Sequence, residues 1–188
     1  MKKDTYHHGN LRVELIEKGL EYIDQYGVET LSMLKLADTV GVSSAAPYAH
    51  FKNKEAFLSA VRDYINEQLY NTQMATLQNT KEPSRVLLEL GKSYIMFFYK
   101  NPLYYQFLFS NNDEDVSINP SFVMFKEVVL DTLNRLYQGK IDEDSVRAKV
   151  LALWSMVHGL AKLVTLKGVV DTDNLEEEIE KVLSSIMV

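Results

Sequence analysis

The sequence predicts an all-α protein of about nine helices, with a small head followed by a larger body. Three observations predict it. Apolar residues recur at helical spacing almost throughout, and period-2 alternation is missing. The four prolines and eight glycines fall mostly at joints between periodic segments. Good N-cap residues stand just before those segments.

The elements follow in order. Leu11, Leu15, Gly19, Leu20 and Ile23 share one face of a first helix from about Asn10 to Tyr26, which Gly27 stops. Ser32 caps a second helix, Met33 to Val40, and Gly41-Val42 forms a tight turn. Ser43 or Ser44 caps a short third helix through Tyr48 and His50, with Pro47 in or near its first turn. Asn53 caps a long helix that starts at Lys54 and reaches about Thr80. Glu82-Pro83-Ser84 breaks the chain before a helix to about Lys100. Asn101-Pro102 and Asn119-Pro120 each open a further helix, separated by the polar stretch Asn111 to Asp115. Asp142 caps a helix to about Leu166, Gly168 ends it, and Asn174 opens the last one. Glu176, Glu177 and Glu178 sit at the positive end of that helix dipole. The expected division is a head of residues 1–53 and a body of residues 54–188.

Composition narrows the class. The chain has 188 residues, enough for a core without staples, and no cysteine, so it has no disulfide framework and no thiolate chemistry. Its 46% apolar content excludes disorder and a collagen-like chain. The longest run without a charged residue, 39–51, is too short to span a bilayer, and the polar stretch Met1 to Asn10 is unlike a signal peptide. A cytoplasmic protein with no membrane partner is expected. The net charge of −6 is unevenly placed: residues 1–62 balance eight Lys/Arg against eight Asp/Glu, and the whole excess lies beyond them. A neutral head can still hold DNA if its few cations converge on phosphates.

The functional signal is Leu31 to Lys54, LSMLKLADTVGVSSAAPYAHFKNK. It has helix-turn-helix spacing, in which the second helix enters the major groove and the first crosses the backbone. Leu34 or Leu36, with Ala37 and Val40, supplies the packing face, and Val42 fills the angle between the helices. Leu36-Ala37, Gly41-Val42-Ser43, Tyr48, His50-Phe51 and Lys52-Asn53-Lys54-Glu55 running into Phe57-Leu58 resemble the DNA-binding head of the TetR/AcrR family of transcriptional regulators. Thr5 to Arg12 resembles one branch of it. Further on, Leu153-Trp154-Ser155-Met156-Val157-His158-Gly159-Leu160 resembles the Trp…His-Gly signature of a C-terminal domain found in that family.

Residue chemistry and this resemblance together assign a DNA-binding set. Ser32 and the start of the second helix suit a phosphate. Ser43, Ser44, Ala45 and Ala46 face bases or phosphate, while Tyr48, His50 and Lys54 resemble the family's backbone contacts. Lys2, Lys3, Tyr6 and His7 precede the first helix and suit the backbone or a minor groove. The third helix contains no Arg, Lys, Asn or Gln, so bidentate readout of a purine is not open to it. Thymine methyls against Ala45 and Ala46, with DNA shape, remain.

The resemblance also implies a homodimer through the last two helices and a small-molecule inducer in the body. Leu151, Trp154, Val157, His158 and Ala161 supply one apolar stripe, and Leu175, Ile179, Val182, Leu183 and Ile186 a second. A dimer would read a near-palindromic double-stranded operator. Ten of the twenty aromatics lie within residues 94–125. The ligand candidates among them are Tyr94, Phe97, Phe98, Tyr104, Tyr105, Phe107, Phe109, Phe122 and Phe125, with Trp154 and His158 from the signature. The same density suits a filled core. No cofactor, metal or catalytic residue is called for: Gly-rich phosphate loops, HExxH and GxSxG are all missing, so no enzyme is expected. The reading is a dimeric, inducer-released repressor. Its rival is an all-helical binding or scaffold protein without operator recognition.

Overall fold

The computed structural model describes residues 11–109, 118–166, 168–170 and 173–185. Among them are eight α-helices, three short 3-10 turns and no strand. The helices are α1 (Leu11–Tyr26), α2 (Met33–Val40), α3 (Lys54–Asn79), α4 (Val86–Lys100), α5 (Pro102–Phe109), α6 (Pro120–Leu136), α7 (Glu143–Leu163) and α8 (Leu175–Ser184). The expected short helix at 44–50 is instead a 3-10 turn centred on Pro47–Ala49. The chain divides into two compact units, one through Ile65 and one from Asn66 onward. The head's unit extends past the expected boundary because Phe57, Ala60, Val61 and Ile65 of α3 are buried in its core.

In the head, Leu15, Ile16, Leu20 and Ile23 of α1 are buried together with Leu36 and Ala37 of α2. Close approach depends on Gly19. A Cβ there would collide with the tip of the Phe57 ring and lie 3.1 Å from Leu36 Cδ1. Phe51 stands edge-on to Phe57, with centroids 5.2 Å apart. Leu34, one of the two alternatives for the packing face, is 56% exposed, so Leu36 carries that role.

In the body, α4 is the central helix. It packs against α7, α8 and α5. At Gly91 a Cβ would lie 3.1 Å from Leu183 Cδ1 and 3.2 Å from Val157 Cγ1, so the glycine lets α7 and α8 close on α4. The Lys92 ammonium reaches Glu180 of α8 at 2.6 Å, and Arg85 holds the same carboxylate at 3.1 Å. These cations, hydrogen-bonding from Lys92 first, hold the Glu180 carboxyl below its ordinary range. A second core joins α6 and α7 through Phe125, Val129, Leu133 and Val150. Asn119 caps α6 by accepting from Ser121 N, and its Nδ2 donates to Asn66 Oδ1 on α3 at 2.8 Å. Among the described residues no helix is long and apolar enough to cross a membrane.

Candidate nucleic-acid interface and the body core

The helix-turn-helix is set by local chemistry. Ser32 Oγ accepts the Lys35 amide and starts α2. At its other end Gly41 takes the left-handed conformation, φ 77°. Its N–H donates to Asp38 O, and Val42 N–H donates to Ala37 O at 3.0 Å, which is a Schellman closure. That closure turns the chain sharply into the exposed segment Ser43, Ser44 and Ala45.

Proline chemistry explains why the third element is a 3-10 turn. Pro47 has no N–H to give to Ser43 O. Ala46 N–H takes that carbonyl at 2.9 Å instead. Three-residue spacing then continues, with Tyr48 bonded to Ala45 O, Ala49 to Ala46 O and His50 to Pro47 O. The N-cap of this turn is Ala46, with no side-chain cap, so the expected capping by Ser43 or Ser44 is corrected. Both hydroxyls are left on the exposed side. Pro47 is buried and anchors the turn, while Tyr48 is 57% exposed and Ala49 and His50 are exposed too. Ala46 is half-buried.

Lys54 has a second task that its sequence position did not show. Its Nζ donates to the Val28 carbonyl at 2.7 Å, tying the start of α3 to the link between α1 and α2. One of its three N–H donors is used there, leaving two. Asn53 is also occupied: its Oδ1 accepts Ala56 N–H at 2.8 Å and caps α3. The face of residues 39–54 carries no Asp or Glu and includes Lys52 and Lys54. Lys2, Lys3, Tyr6 and His7 lie outside the described residues, as does Ile186.

The aromatic candidates of the body converge on His158. Its Nδ1 lies 3.0 Å from Tyr94 Oη and its Nε2 lies 2.9 Å from Tyr105 Oη. Rings of Phe109, Tyr105 and Trp154 surround it at centroid distances of 4.5, 5.0 and 5.2 Å. Donor accounting assigns the protons. Tyr105 O–H points to the His158 carbonyl at 3.4 Å, so its oxygen accepts from Nε2–H. Nδ1 then accepts the Tyr94 proton. This chain needs a neutral imidazole, and burial pushes the His158 pKa below its ordinary value in the same direction. Burial likewise raises Tyr94 far above an ordinary phenol.

Phe97, Phe98 and Tyr104 join this layer ring against ring, and Phe122 stands edge-on to Trp154 at 4.9 Å. Phe107 is half-buried on α5. Phe125 is buried in the α6–α7 core, against which Phe122 and Trp154 of this layer pack. An open recess of about 640 Å³ lies elsewhere in the body, lined by Leu77, Val86, Val128, Thr132 and Leu136 with Arg135 at its edge.

The expected dimer stripes are corrected in part. Val157, Ala161, Leu175, Ile179 and Leu183 are buried inside the chain's own body, and His158 spends both ring nitrogens there. Leu151 of the expected stripe is 59% exposed and lies on a ridge of α7 with Ser155 and Leu163, with open space at Gly159 between them. Val182 of α8 is exposed as well.

A Schellman-closed helix-turn-helix on a small helical head, followed by a larger all-α body, defines the class of helix-turn-helix regulators. The comparisons give the particular family. The profile described as bacterial regulatory proteins, tetR family, matches residues 15–61, and that of the tetracyclin repressor-like C-terminal domain matches residues 87–186. The chain belongs to the TetR family, and it is a DNA-binding transcriptional regulator. It is 26% identical over 156 residues to the nucleoid occlusion factor SlmA of Aliivibrio fischeri, covering 76% of this chain and 79% of that one. A TetR/AcrR regulator from Thermobifida fusca superposes with a TM-score of 0.73 at 17% identity, covering 93% of this chain and 96% of that one. AibR, solved in complex with isovaleryl coenzyme A and operator DNA, superposes with a TM-score of 0.65 at 18% identity, covering 90% and 94%.

Proposed function

We propose that this chain is a dimeric repressor that seats its two heads on a near-palindromic operator and leaves it when a small molecule binds the body. The observation that carries the reading is the exposed turn Ser43–His50, held out by the Gly41 closure and by buried Pro47 within a segment, residues 39–54, free of acidic residues. Ser32, whose Oγ already accepts the Lys35 amide, keeps its own O–H for a phosphate. Tyr48, His50 and the two spare donors of Lys54 supply further backbone contacts. These contacts fix position and carry salt dependence.

Dimerisation falls to the exposed ridge of α7, Leu151, Ser155, Gly159 and Leu163, with Val182 of α8. Small residues in such a ridge let two helices approach closely. For the small molecule, the recess between the end of α3, the start of α4 and α6 offers a volume within the range of ligand pockets. The His158 layer is the alternative seat. Binding of operator and small molecule by a protein of this fold is seen in AibR. A ligand that prefers the conformation unable to hold DNA shifts the population off the operator.

Selection from a random duplex pool with the full chain, at about 150 mM salt, tests the reading. Enrichment of a two-fold site, bound by two chains in native mass spectrometry, is expected. Folded protein that enriches nothing, both as purified and after refolding without ligand, leaves the rival binding or scaffold role.

A further inference from the structure

We infer that the head reads its operator through thymine methyl groups, with Ala45 and Ala49 as the specificity-determining side chains, so that each half-site presents thymines to them. The inference rests on the DNA-binding reading above and deepens it.

The argument is one of elimination on an exposed surface. Guanine and adenine are read by Arg, Lys, Asn or Gln reaching two atoms of one base edge. Residues 41–51 contain none of these. Lys52, next in the chain, is exposed and serves the phosphate backbone, while the other such side chains on the motif are engaged locally. Asn53 caps α3 through its Oδ1. Lys54 donates to Val28 O. The Lys35 amine lies 5.9 Å from the centre of the Tyr22 ring. On the turn itself the exposed side chains are Ser43, Ser44, Ala45, Tyr48, Ala49 and His50. Tyr48 and His50 serve the phosphate backbone, and the serines bond to any base and discriminate weakly.

That leaves methyl groups. Ala45 and Ala49 are exposed, while Ala46 is half-buried, so Ala49 replaces Ala46 in the pair expected from sequence. Pro47, buried between them, fixes the turn that presents both. The thymine C5 methyl is the apolar group that the major groove offers, and methyl-on-methyl contact is insensitive to salt. The absence of acidic side chains from 39–54 lets phosphates flank the turn without repulsion.

The test uses the full chain and the duplex recovered by selection. Thymines of the half-sites are replaced one at a time by deoxyuridine, which removes the C5 methyl and keeps every hydrogen-bonding group. Affinity is expected to fall about four-fold for each contacted methyl. Ala45→Gly and Ala49→Gly should each lose the sensitivity at one position and keep it at the other. The quantity read is the ratio of thymine to deoxyuridine affinity, so a general weakening of the head by glycine cancels. Ser43→Ala should leave both ratios unchanged. Ratios near one in the wild type, or ratios that persist in both glycine variants, overturn the inference while leaving operator binding intact. A pool that yields no site overturns the underlying reading and this inference with it.

Discussion

Lys54→Met separates two roles that meet in one ammonium group. The substitution keeps most of the side-chain stem and removes the donor to Val28 O, a 2.7 Å bond in a half-buried setting. A hydrogen bond to a charged group contributes about 1.5–3 kcal/mol when well shielded. Partial exposure lowers that to about 1 kcal/mol here. In a head of this size about 1 kcal/mol corresponds to roughly 4–8 °C in Tm, provided that the head unfolds as its own unit. Trp154, the single tryptophan, lies in the body, so its fluorescence reports body unfolding, while the far-ultraviolet helix signal reports both units. The expected result is a lower helix-signal transition in Lys54→Met with the tryptophan transition unmoved. The two spare donors predict a second effect on DNA: weaker binding to every sequence, with the salt slope reduced by about one. An unchanged helix-signal Tm would refute the structural role. An unchanged salt slope would refute the phosphate contact.

Other perturbations follow from the same geometry. Gly41→Ala places a Cβ on a residue at φ 77° and should cost the head about 1 kcal/mol, read as a Tm loss. His158→Phe leaves the buried Tyr94 hydroxyl without its acceptor and should destabilise the body by about 1–3 kcal/mol, visible in tryptophan fluorescence. Because burial lowers the His158 pKa in the folded state, the unfolded chain binds the extra proton first. Body stability should therefore be full near pH 7.5 and decline as pH falls below about 6.5, and His158→Phe should remove that component. Leu151→Glu charges the exposed ridge without touching the core, so sedimentation should show monomers with an unaltered tryptophan transition.

Much of this was legible in sequence where the controlling chemistry is local. Ser32, Asn53, Asn119 and Asp142 each accept an amide two or three residues ahead, so a single residue announces each helix start. The third element differs from the expected helix because Pro47 removes one donor and shifts the run to three-residue spacing. Leu175, Ile179 and Leu183 of the α8 stripe are legible as apolar, but periodicity names a buried face without naming its partner. Leu183 meets Gly91 of its own chain. Pairings such as Tyr94 and Tyr105 with His158, or Lys54 with Val28, join residues far apart in sequence, and no short-range pattern signals them. That Ala49 is exposed and Ala46 half-buried depends on how Pro47 seats the turn, which no short-range pattern signals.

The most direct test of the account is the affinity of the full chain for its selected duplex relative to a scrambled duplex of equal length, at about 150 mM salt. A sequence-reading dimer should prefer the selected site by about a thousand-fold or more. Affinities within ten-fold of each other, from protein shown to be folded and dimeric, would contradict it.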